Sequence, residues 1–108
     1  MNQTTPEQLR AALEEHCRAR RAELAAVTAA ASAYNIYVED EIAIVGRGLD
    51  HLLGGTCDTD GSRRDAIHRA SGKMALDEAN GHVRRSRDRA DDAERAYNRL
   101  LANLPVTP

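Results

Sequence analysis

At 108 residues the chain has room for one domain with a modest core, and a formal charge of -2 from 15 basic and 17 acidic residues removes the electrostatic case for bulk binding to nucleic acid or an acidic membrane. With three Tyr, no Phe and no Trp, the core has to be built from Leu, Ile, Val and Ala, which suits close helix packing rather than a sandwich or barrel. No apolar run of about 18 residues and no basic-then-apolar amino terminus is present, so neither a transmembrane segment nor a signal peptide is expected; the expected compartment is the cytoplasm, with signal-less secretion or a place in a virus particle as alternatives.

The first element is a helix expected over about 6–53. Thr5 and Gln8 have the spacing of a capping box, Pro6 suits the first helical position, and Glu7 places negative charge where the helix dipole favours it. No proline follows until Pro105, and Gly54-Gly55 supplies a left-handed stop. Leu24, Val27, Ala31, Tyr34, Val38, Ile42, Val45, Leu49 and Leu52 recur in steps of three or four and stay within about 40° of one line. That seam is expected to face the second limb of a hairpin. A second stripe, Ala26, Ala30, Ala33, Tyr37, Ile44 and Gly48, lies about 100° around the helix and is expected to be the interface with another copy, because a helix apolar on two sides needs two neighbours.

Residues 54–61 read as a turn, and Ser62 with Asp65 as a second helix start. The second limb is expected over about 62–103. Leu76, Ala79, Val83, Ala90, Tyr97, Leu101 and Leu104 share a face, with Ala93 and Leu100 at its edge, whereas Ile67, Ala70 and Met74 lie nearly opposite. That phase slip predicts a kink or split at Asn80-Gly81, giving 62–79 and 82–103. Folding the limbs together with facing residue numbers adding to about 115 brings Arg20 and Arg21 towards Asp91, Asp92 and Glu94, Cys17 to Tyr97, and Glu39 to Glu41 towards Lys73, Asp77 and Glu78. Cys17 and Cys57 would stand roughly 60 Å apart along a straight helix, too far for a disulfide.

Chemical motifs are sparse. Glu78 and His82 have i, i+4 spacing rather than the Glu-x-x-His of dimetal bundles, and His51, Cys57 and His68 lack the paired spacing of a structural zinc site. No metal or cofactor is therefore expected, and no nucleophile elbow, phosphate loop or dinucleotide fingerprint is present. The clusters Arg18, Arg20, Arg21 and Arg84, Arg85, Arg87, Arg89 raise a nucleic-acid hypothesis, tempered by interleaved Glu23, Asp88, Asp91 and Asp92 and by the lack of aromatics placed to stack on bases.

In length and helix-turn-helix outline the chain is similar to the small Trp-x-Gly hairpins exported by type VII secretion. It has no Trp, Tyr97 is followed at the fourth position by Leu101 rather than an acid, and Tyr37 with Glu41 has that spacing only inside the first helix, so the family's defining motifs are not met. The sequence thus predicts an all-α, elongated antiparallel helical hairpin that forms an intermolecular bundle or coiled coil. Its expected role is non-catalytic: structural, assembly or adaptor, with further copies of itself as partner and another protein as an alternative or additional one. The alternatives are a small DNA-binding or regulatory protein and a metal-binding helical-bundle enzyme.

Overall fold

The computed structural model describes residues 3–55 and 59–105 as an all-α hairpin of two helices, α1 over Pro6–Leu53 and α2 over Thr59–Ala102, with no strand among the described residues. The start of α1 is held by the capping box read from the sequence: Thr5 N-H donates to Gln8 Oε1 at 2.9 Å, and Gln8 N-H donates to Thr5 Oγ1 at 3.2 Å. Its end is a glycine stop, with Gly54 N-H donating to the Asp50 carbonyl at 2.9 Å and Gly55 at φ 68°.

Two expectations about the second limb fail. The helix is already formed at Thr59, so Ser62 lies inside it, and Asp65 accepts from Arg47 across the hairpin at 2.6 Å instead of capping. Residues 56–58 are outside the described set, and with them Cys57 and its separation from Cys17; Cys17 itself is exposed. Nor does α2 break at Asn80-Gly81. A single helical glycine costs about 1 kcal/mol, and packing along the rest of a 44-residue helix outweighs that local preference.

The chain divides into two units, Met1–Val27 with His82–Pro108, and Thr28–Gly81. In the first unit the buried line of α1 is Leu9, Ala12, His16, Ala19, Glu23 and Ala26, an alternation of three and four that defines a coiled-coil seam. Opposite it, α2 offers Val83, Ser86, Ala90, Ala93, Tyr97 and Leu100 at the same spacing. His16 and Tyr97 stack obliquely, ring centroids 6.1 Å apart. The ends are tied where Thr4 N-H donates to the Asn103 carbonyl at 3.2 Å, so Thr4 is buried rather than part of a loose tail.

In the second unit Ala30, Ala33, Tyr37, Asp40 and Ile44 continue the three-four alternation, facing Asp65, Gly72, Leu76 and Ala79 of α2. Gly72 makes room for the Tyr37 ring: a Cβ there would sit 3.5 Å from Tyr37 Cδ2. Polar pairs flank this seam, Arg47 with Asp65, His68 hydrogen-bonded to Asp40 at 2.9 Å, and Arg69 with Glu41.

These pairs correct the expected register by roughly one helical turn. Asp40 and Glu41 reach His68 and Arg69, not Lys73, Asp77 and Glu78, and Tyr97 meets His16 rather than Cys17. Arg20 does reach Asp91 and Glu94 as expected, at 3.0 and 3.1 Å.

The larger correction concerns the two stripes of α1: α2 covers the one that was not expected to face it. Ala26 is 3% and Ile44 8% exposed within the chain alone, with Ala30, Ala33 and Tyr37 half-buried beside them, so the stripe expected to meet another copy is the one α2 covers. The larger side chains expected to face α2 are outside. Small residues let two helices approach closely, which an Ala-rich line on α1 and Gly72, Ala79, Ser86, Ala90 and Ala93 on α2 both permit. The cost is a thin core. Burying a methyl group contributes only about 0.8 kcal/mol, and among the described residues the buried apolar side chains are Ala19, Ala26, Ile44 and Ala90.

Candidate interaction surface

Within the second unit, Ala31, Tyr34, Val38, Ile42, Val45, Leu49 and Leu52 form one strip of α1. At 100° per residue every position of 31–52 that falls within about 40° of the strip's midline is apolar. Ile42 is 68% and Leu52 81% exposed, Tyr34, Val45 and Leu49 are more than half exposed, and Val38 is intermediate. The strip is about 32 Å long at 1.5 Å per residue.

The borders are suited to docking. The charge at the edge, Glu41, is already held by Arg69; Asn35 and Gly46 form the other border. Val38, Glu41, Ile42, Val45 and Gly46 line a shallow apolar groove of about 400 Å³. In the first unit, Leu24 and Val27 are likewise exposed on α1. On α2, Ile67 and Met74 are exposed opposite its seam, a pair too short to make a second strip of this kind.

Of the expected interface residues, Ala26, Ala30, Ala33, Tyr37 and Ile44 therefore belong to the intrachain seam, and Gly48 is exposed with nothing within 4 Å of where a Cβ would stand. Both stripes were legible as periodic lines. What periodicity did not carry was which of them α2 would cover.

The basic clusters are divided by carboxylates. Arg20 donates to Glu23 at 2.8 Å as well as to Asp91 and Glu94, Arg18 lies 3.7 Å from Glu15, and Arg87 donates to Glu23 at 3.0 Å. The Glu23 carboxyl is thereby held below the usual carboxylate range, first by Arg20 and then by Arg87, and the Arg20 guanidinium is raised by Glu23 and Asp91. Arg21, Arg84 and Arg85 are exposed and make no ion pair among the described residues.

Near the turn, a groove of about 720 Å³ between the helices of the second unit is lined by Arg47, His51, Arg64, Asp65, His68 and Arg69 among others. Two of its arginines are paired, Arg47 with Asp65, whose pKa it lowers, and Arg69 with Glu41, and His68 is hydrogen-bonded to Asp40. Among the described residues no three His, Cys, Asp or Glu side chains gather closely enough to hold a metal ion, Cys57 lying outside that set. No helix among them is long and apolar enough to cross a membrane. No family model, curated protein or solved structure matches this chain.

Proposed function

We propose that this chain is a non-catalytic structural, assembly or adaptor component that works by helix-helix packing, with the outer strip of α1 as its docking surface. The observation that carries the reading is the contrast between the two faces of that helix: on the face covered within the chain the buried side chains are Ala19, Ala26 and Ile44, with Tyr37 half-buried, while Tyr34, Ile42, Val45, Leu49 and Leu52 stand in solvent. A hairpin that buries its small residues and exposes its large ones gains most of its remaining hydrophobic stabilisation by association.

Nucleic-acid binding is less well supported, because Arg18, Arg20 and Arg87 are engaged by carboxylates that a phosphate would have to displace. Sedimentation of the intact chain over a micromolar concentration series tests the assembly reading. The expected result is a mass that rises with concentration to a dimer or larger complex. A monomer at tens of micromolar that also retains no protein from its own host removes it.

A further inference from the structure

The glycines are not spread evenly. All 7 lie between positions 46 and 81, and Gly46, Gly48, Gly61, Gly72 and Gly81 stand inside helices. Each weakens its helix roughly fivefold relative to alanine, because glycine has more backbone freedom to lose. Between them α2 carries Ser62, Asp65, Ser71, Asp77 and Asn80, which bond readily to non-helical backbone, whereas residues 83–101 are rich in Arg, Ala and Leu. The unit that holds the chain ends has no glycine at all.

Packing follows the same division. Thr4, Ala19, Ala26, Ser86 and Ala90 are buried in the first unit, which also has the backbone bond from Thr4 to Asn103 and the Glu23 carboxylate, 17% exposed, between Arg20 and Arg87. In the second unit Ile44 alone is buried among the described residues, and from Gly61 to Gly81 no side chain of α2 is. Arg47 with Asp65, His68 with Asp40 and Arg69 with Glu41 tie its helices, but Arg47, His68 and Arg69 are each about half exposed, and such pairs contribute little.

We infer that the second unit opens on its own: residues 45–53 of α1 and 61–81 of α2 separate and lose helix while 12–26 and 86–100 stay folded. Weak local preference and little buried apolar surface in one contiguous unit are the conditions for such sub-global unfolding. Opening also acts on the outer strip, since Val45, Leu49 and Leu52 share a face with Ile42 only while 45–53 is helical. Whatever docks on the strip therefore draws the unit closed. That consequence rests on the assembly reading above; the opening itself does not.

Hydrogen-deuterium exchange of the full chain, followed by mass spectrometry at a dilution where sedimentation shows a monomer, reads the opening directly. After correction for intrinsic rates, amides of 45–53 and 61–79 are expected to exchange at least about tenfold faster than those of 12–26 and 86–100. Equal protection in the two units, or faster exchange in the first, overturns the inference. Gly46→Ala with Gly48→Ala, where added methyl groups meet nothing within 4 Å, should slow exchange at 45–53 by roughly 25-fold and leave 12–26 unchanged. The same slowing in both units would show one cooperative hairpin and overturn independent opening; no slowing at 45–53 would overturn its origin in the glycines. At concentrations where the chain associates, 45–53 should gain further protection. Association without that gain overturns the link to docking, whereas a chain that never associates removes the assembly reading and leaves the result at high dilution to decide the opening.

Discussion

Ile42 and Ile44 are chemically identical, two residues apart and about 200° apart around α1, so they separate hairpin stability from association. Truncation to alanine removes three carbon groups, about 2.4 kcal/mol of transfer free energy at 0.8 per carbon. Ile44 is 8% exposed, so Ile44→Ala forfeits nearly all of this within the chain and leaves a cavity besides, for a loss of about 2 to 4 kcal/mol. Ile42 is 68% exposed, so only about a third, near 0.8 kcal/mol, is lost within the chain. The other 1.6 kcal/mol or so appears only when the strip is covered. In a dimer that covers the strip of each copy that is about 3.2 kcal/mol, roughly 200-fold in Kd. Far-UV circular dichroism melts at a concentration where the chain is dissociated should lower the Tm by about 10 °C or more for Ile44→Ala and by a few degrees for Ile42→Ala. Sedimentation equilibrium should show the reverse order of effect on association for Ile42→Ala. Equal losses of Tm at high dilution, or a Kd unchanged by Ile42→Ala, would refute the assignment of the two faces.

The ion pairs predict an acid limb to stability. Glu23 and Asp65 are held below their ordinary values by Arg20 and Arg47 respectively, so their contribution is complete above the unfolded-state carboxylate range and disappears as pH falls through the lower folded-state values. Melts taken from neutral pH downwards should lose Tm in that acidic window, and Glu23→Gln combined with Asp65→Asn should flatten the slope; an unchanged slope in the double variant would show that other carboxylates set it. Glycines divide by conformation: Gly48→Ala, with free space around it and a helical backbone, should stabilise by about 1 kcal/mol, while Gly55→Ala at φ 68° should destabilise by a similar amount. Chemical denaturation of both variants checks the pair, and a gain at Gly55 would contradict the glycine stop.

The capping box at Thr5 and Gln8, the stop at Gly54-Gly55 and the course of α1 were legible because each depends on residues within a turn of one another. The opening of α2 was less so. Ser62 and Asp65 have a capping spacing, yet Asp65 has a stronger use 18 residues back in the chain, with Arg47, and a capping pattern carries no information about such a competitor. The split weighed at Asn80-Gly81 is absent for a related reason: turn preference there is a local tendency, and a long packed helix overrides it. The outlying Ile67 and Met74 did not signal a break. They are exposed on a continuous helix whose seam at that level is made of Asp65 and Gly72.

By itself the sequence determined two helices, the caps of α1 and its two apolar lines, because all of these follow from the 100° turn per residue and from local hydrogen bonding. Only the tertiary structure decided which line is spent inside the chain. Hydrophobicity favours the larger side chains for burial, but two helices packed along one seam must also approach one another closely, and that condition selects the alanine line and the glycine opposite Tyr37. The larger side chains are left facing outward for the same steric reason, and that is the physical basis of the surface proposed for docking.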